Sequence, residues 1–112
     1  MYREIDSPRK RKEFNQLVKI NSSSLIIVKC YADWCGPCKN IKEYVYKKIE
    51  ELNYSKKMLI NLNIDEQSDV ASFLKVRSVP TLITYYEGMP YNVCTSGTKQ
   101  DIDLFFSQIG KL

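Results

Sequence analysis

The stretch "LIIVKCYADWCGPCK", Leu25 to Lys39, decides how this chain is read. It opens on a β-branched apolar run, "LIIVKCYA" (25–32), whose shortness and lack of alternation predict a central strand buried on both faces. It passes directly into "WCGPCK", and a helix is expected to start near Cys35. A thiol at such a junction meets unpaired N–H groups and the positive end of a helix dipole. It is therefore expected to ionise below the free-thiol value of about 8.5 and to act as a nucleophile. Pro37 removes an N–H that the first turn would leave unsatisfied, and it stiffens the loop. The spacing brings Cys38 beside Cys35, close enough to close a small disulfide ring. Cys38, one turn deeper, is expected to be the more shielded and to serve as the resolving thiol.

A CxxC pair can also be half of a zinc site. That reading needs two further ligands, and only Cys30 and Cys94 remain in a chain without histidine. Redox chemistry is the better reading, and no metal site is expected. The lack of histidine also removes Ser-His-Asp and Cys-His mechanisms. Cys30 and Cys94 read as small core or strand residues; a regulatory or dimer-forming thiol at Cys94 is the alternative, if it is exposed.

The remainder of the chain frames this motif. Its 112 residues, 44% hydrophobic, fit a single domain over 1–112 with one modest core. No apolar run reaches the roughly 18 residues a membrane helix needs. "MYREIDSPRKRKEF" lacks the apolar segment of a secretory signal, so a cytoplasmic protein without a membrane partner is expected. The net charge of +4 is mildly basic, short of the concentrated field of a nucleic-acid binder. "PRKRK" (8–12) reads as a solvated helix face, with nuclear entry or an acidic partner as the alternative.

Ser7-Pro8 predicts a helix N-terminus, followed by Phe14, Leu17 and Val18 as an apolar face to about Ile20. The helix after the motif keeps Ile41, Val45, Ile49 and Leu52 in phase, and "MLINLNI" (58–64) is the next strand. "SDVASFLKV" (68–76) predicts a helix capped by Ser68, with Val70, Phe73 and Leu74 turned inward. "TLITYY" (81–86), a turn at "EGMP" and "YNVCT" (91–95) predict a hairpin, with Gly88 suited to its turn. Residues 99–110 close the chain as a helix on Ile102, Phe105, Phe106 and Ile109. The order α-β-α-β-α-β-β-α implies an α/β domain with parallel pairing first and antiparallel strands added by the hairpin.

Over nearly its whole length the chain resembles the thioredoxin family. "ADWCGPCK" resembles the family's active site, and "VRSVPTL" the segment carrying its cis-proline; the step from Cys35 to Pro80 fits the family's spacing. The resemblance implies the thioredoxin fold, a central mixed β-sheet flanked by helices on both faces. It implies a cis Val79–Pro80 bond beside the cysteines and a substrate groove built from Val79, Pro80 and Gly97. The active-site loop would be Trp34, Gly36 and Pro37, with Trp34 as an apolar docking surface and a core tryptophan as the alternative. Asp65 of "LNID" matches a position close to the active site.

The activity implied is that of a protein-disulfide reductase in electron transport. Cys35 attacks a substrate disulfide to give a mixed disulfide, and Cys38 displaces the reduced substrate. The Cys35–Cys38 disulfide is the redox-active centre and no other cofactor is implied. The partners implied are disulfide-containing protein substrates and a recycling enzyme of the thioredoxin-reductase type, acting on a monomer.

The chain departs from this family at four places. Six residues before the first cysteine the family usually carries a buried carboxylate that serves proton transfer to and from the resolving thiol; here that position is Lys29. Asn61 stands in place of a buried lysine, Glu43 in place of a helix-kinking proline, and Tyr31 where tryptophan is common. Lys29 has three readings. Its stem snorkels to water; or it stays charged, attracting a thiolate at about 6 Å by about 2.8 kcal/mol at an effective dielectric near 20; or burial depresses it, and the neutral amine is a base for Cys38. Lys29 and Asp65 are the candidates for proton transfer and pKa modulation. The rival functional reading is a thioredoxin-fold binding module or partner subunit with secondary redox activity, and a thiol oxidase or isomerase is a third.

Overall fold

Every residue from Leu25 to Cys30 is buried, as an unalternating apolar strand covered on both faces requires. In the computed structural model, which describes residues 1–112, the elements run β1 (Arg3–Asp6), α1 (Arg11–Ile20), β2 (Leu25–Tyr31), α2 (Gly36–Glu51), β3 (Lys57–Asn63), α3 (Ser68–Phe73), β4 (Thr81–Tyr86), β5 (Met89–Cys94) and α4 (Lys99–Ile109). The five strands form one mixed sheet in the order β1-β3-β2-β4-β5. β1, β3 and β2 are parallel, while β4 runs antiparallel to both β2 and β5. The expected α/β architecture with helices on both faces is borne out.

The period of two along the strands divides the core into two layers. Ile26, Val28 and Cys30 face Phe14 and Val18 of α1 and Val70 of α3. Leu25, Ile27, Leu59 and Leu82 face Ile41, Val45 and Ile49 of α2 and Ile102, Phe105 and Ile109 of α4. Each fully buried side chain of this size is worth about 1.5–3 kcal/mol, against about 0–1 for an exposed ion pair. The two apolar layers, not the surface charges, therefore hold the sheet between the helices.

Four details differ from expectation. β1 was not foreseen, because "REID" offers a single apolar residue, Ile5; it is an edge strand held by its backbone ladder to β3. Ser7 does not cap a helix. Its N–H donates to the Asn61 carbonyl at 2.7 Å, which prolongs the pairing with β3, and α1 begins only at Arg11. Gln67, not Ser68, precedes α3, and its Oε1 accepts the Asn63 N–H at 2.8 Å. Phe73 turns outward, 37% exposed, with the Arg11 guanidinium 5.4 Å from its ring centre.

The hairpin turn is tighter than "EGMP" suggests. It is the pair Glu87–Gly88, with φ of 53° and 79°, the backbone of a two-residue type I′ turn. β5 consequently starts at Met89, and Pro90 is tolerated because the strand is at the edge and its register with β4 shifts beside it. At the end of α2, Lys57 is buried and its Nζ donates to the carbonyls of Ile49, Glu50 and Leu52 at 2.8–3.0 Å. The Ile49 and Leu52 carbonyls also accept the N–H groups of Leu52 and Tyr54, so Lys57 adds a second donor to each and supplies the donor that the Glu50 carbonyl of the last turn lacks.

Candidate functional site

Cys35 is the N-cap of α2, with extended backbone (φ −87°, ψ 103°), and its sulfur accepts the Cys38 N–H at 3.1 Å. The helix begins at Gly36 with Pro37 next, so the proline occupies a position whose N–H the helix does not use. A sulfur held there faces the free N–H groups of the first turn, which favour a thiolate over a thiol. Cys35 and Cys38 are joined as a disulfide, with Cα atoms 5.3 Å apart. Cys38 is not the more shielded of the two. Cys35 is 3% exposed and Cys38 8%, because a cavity of about 300 Å³ behind the motif opens onto Cys38 and not onto Cys35.

Around the pair, Val79 packs against the cluster of Ala32, Cys35 and Cys38, and the Val79–Pro80 peptide is cis. A side chain at Gly97 would place its Cβ 3.4 Å from Pro80 Cγ and 3.5 Å from Pro37 Cβ. Gly97, Pro80 and Pro37 therefore pack as one low wall, and a larger residue at 97 would press on both prolines. Trp34 is 69% exposed, which excludes the core reading, and its Nε1 donates to Asp65 Oδ2 at 3.0 Å. Asp65 is itself fixed, its N–H donating to Asn63 Oδ1 at 3.0 Å.

Lys29 is buried, 7% exposed, and lines the cavity together with Cys38, Tyr46 and Asn61. It does not extend to the surface: its Nζ lies 4.7 Å from the centre of the Tyr46 ring. Burial pushes its amine below the usual lysine value, the Glu4 carboxylate pulls it back up, and Lys42 and Glu43 add smaller opposing pushes. Glu4 Oε2 accepts both the Tyr46 hydroxyl and Asn61 Nδ2, each at 2.7 Å. Partial burial raises the Glu4 carboxyl, but these two hydrogen bonds and the charges of Lys29 and Lys42 outweigh it and hold the group below the usual carboxylate range.

Glu4 and Tyr46 escape a reading of the sequence. Glu4 sits on the unforeseen strand β1, and Tyr46 lies one position off the apolar stripe of α2. A signal was present: Lys42 and Tyr46 follow Cys38 at i+4 and i+8 and so share its helix face.

The other cysteines lie on opposite faces of the sheet. Cys30 is in the layer under α1 and α3, where burial pushes its thiol up to about 12, a value at which it is inert near neutrality. Cys94 is in the layer under α2 and α4, 7% exposed, so the exposure a regulatory thiol needs is not met. In the basic stretch 8–12, Arg11 donates from Nε and Nη2 to Asp69 Oδ1 at 2.9 and 2.8 Å and from its backbone N–H to Oδ2 at 2.8 Å, and Arg9 donates to the Glu66 carbonyl at 3.1 Å. Two of its four cations thus tie α1 and its approach to α3 and the loop before it.

Comparison with known proteins agrees with this geometry. The family model described as Thioredoxin matches residues 7–108. Thioredoxin AMT13 of Alternaria alternata is 40% identical over 84 residues, spanning 75% of this chain and 69% of that protein. The thioredoxin of Homo sapiens is 26% identical over 109 residues, spanning 97% and 99%. The crystal structure of reduced Schistosoma mansoni thioredoxin superposes with a TM-score of 0.80 at 18% identity, covering 95% of this chain and 97% of the other, and so shares the fold.

Proposed function

This chain belongs to the thioredoxin family and is a thiol-disulfide oxidoreductase; from that premise we propose that it works as a cytosolic, single-domain, monomeric reductant of protein disulfides. The observation that carries the reading is the Cys35 sulfur at the N-terminus of α2, accepting the Cys38 N–H at 3.1 Å. In the reduced protein the Cys35 thiolate attacks one sulfur of a substrate disulfide, and the other substrate sulfur leaves as a thiolate. The Cys38 thiolate then attacks Cys35, the mixed disulfide breaks, and the substrate is released with both sulfurs reduced.

The remaining roles follow from position. The substrate segment lies across Val79, Pro80 and Gly97, and Trp34 gives it an apolar rim, with Gly36 and Pro37 shaping the loop. Asp65 acts by holding the Trp34 indole, and Lys29 acts on Cys38 from inside the cavity. A reductase of the thioredoxin-reductase type returns the electrons, so that the protein is a carrier in electron transport.

Insulin reduction with dithiothreitol as donor tests this. Wild type is expected to precipitate the insulin B chain, and Cys35→Ser is expected to do so no faster than dithiothreitol alone. Equal turnover by the two would overturn the reading.

A further inference from the structure

A buried ammonium without an anion beside it is costly. No carboxylate lies within ion-pair distance of Lys29, yet the residue is 93% buried by its 7% exposure and faces the cavity that reaches Cys38. What stands against its Nζ is the face of the Tyr46 ring. An aromatic face attracts a cation, more strongly where water is excluded. The Tyr46 hydroxyl donates to the Glu4 carboxylate, which increases the electron density of that ring. The same carboxylate accepts the amide of Asn61, the residue opposite Lys29 in the β2–β3 ladder. Glu4 on the edge strand thus reaches Lys29 by two routes, one across β3 and one through α2.

We propose that Glu4 is a positioning residue for the thiol chemistry: through Tyr46 and Asn61 it keeps Lys29 as an ammonium in the cavity behind Cys38, where that charge favours the Cys38 thiolate. This rests on the role given to Lys29 above. In the resolving step the Cys38 thiol loses its proton to solvent and its sulfur attacks Cys35. The Cys35–Cys38 bond forms, the bond from Cys35 to the substrate breaks, and the departing thiolate takes a proton from solvent. Lys29 keeps its proton throughout; its charge lowers the cost of the first event. The charged and titratable groups facing it or lining its cavity are Glu4 from β1, Cys30 and Tyr31 of β2, Asp33 just after β2, and Lys39, Lys42, Glu43 and Tyr46 from α2. β3 and β4 present Asn61 and Leu82, which do not titrate.

The sign of one effect makes the proposal testable. Removing a carboxylate should, by its own charge, make a neighbouring thiol more acidic. The positioning role predicts the reverse, because Lys29 is released from the cavity or loses its proton. The Cys38 thiolate fraction near neutral pH is read by NMR titration of cysteine-labelled reduced protein. Glu4→Gln is expected to lower that fraction about threefold or more, the low end of coupling within one hydrogen-bonded network. Lys29→Met is expected to lower it at least as far, and the double variant no further than Lys29→Met alone. Tyr46→Phe, which keeps the ring and cuts the link, is expected to shift in the same direction.

An unchanged or increased thiolate fraction in Glu4→Gln would overturn the proposal. So would a Glu4→Gln effect that persists in full beside Lys29→Met. If Lys29→Met does not fold, the same comparison is made in Tyr46→Phe, where one of the two routes is already cut and the Glu4→Gln effect must be smaller than in wild type; an effect of full size would overturn the proposal. Failure of the insulin assay in wild type would remove the proposed function; a wild type that reduces insulin with a wrong-signed Glu4→Gln shift removes this inference alone.

Discussion

The Nζ of Lys29 lies 4.7 Å from the centre of the Tyr46 ring, and both residues line the cavity that opens onto Cys38. A cation held by a ring face and a more distant carboxylate is a compromise between stability and chemistry. Its burial lowers the lysine value in the folded state, so the unfolded chain binds that proton more tightly. The resulting cost is present in full below the folded value and is recovered as pH rises through it towards the ordinary lysine range.

Lys29→Met is therefore expected to be more stable than wild type at pH 7, by about 1 kcal/mol, the low end for replacing buried charge with apolar volume. The advantage is expected to shrink as pH approaches 10. Denaturant unfolding of both proteins at the two pH values checks this; an advantage independent of pH would assign the gain to packing.

Trp34 donates its indole N–H to Asp65, which fixes a large exposed apolar surface beside the cysteines. Asp65→Ala leaves that ring free to move, and ordering it again on substrate binding costs about 0.5–1.5 kcal/mol. The expected result is a several-fold rise in KM for insulin with kcat little changed. A fall in kcat at constant KM would mean instead that Asp65 takes part in the proton chemistry.

Lys57 closes the end of α2 by donating to three carbonyls from a buried position. Lys57→Met leaves the Glu50 carbonyl without a donor, while Ile49 and Leu52 keep backbone N–H donors, and it is expected to cost about 1–3 kcal/mol, the range for one unsatisfied buried polar group. Urea unfolding measures it. A change below a few tenths of a kcal/mol would show that solvent reaches the helix end.

How far the sequence could be read follows from what each signal depends on. The strands β2 to β4 were legible as short continuous apolar runs, which burial on both faces requires, and the helices α2 and α4 because burial of one face imposes a period that local composition displays; β5, mostly exposed, was legible from the turn at Gly88 that pairs it with β4. β1 was not, since an edge strand needs only backbone pairing, and "REID" carries almost no apolar pattern. Ser7 and Ser68 looked like caps, but tertiary partners decide such positions; Ser7 pairs with Asn61 instead. Cys35, Cys38 and Pro80 could be found from motif and spacing. The Glu4–Tyr46–Lys29 arrangement could not, because it joins an edge strand, a helix flank and a central strand that only the folded sheet brings together.

The most direct test of the account is the capture of its mixed disulfide. Reduced Cys38→Ser protein is mixed with oxidised insulin, the adduct is isolated without reductant, and the linked cysteine is located by peptide mass spectrometry. The account predicts a stable adduct carried by Cys35, with Cys30 and Cys94 still free thiols. An adduct on Cys30 or Cys94, or no adduct while wild type turns over, would contradict it.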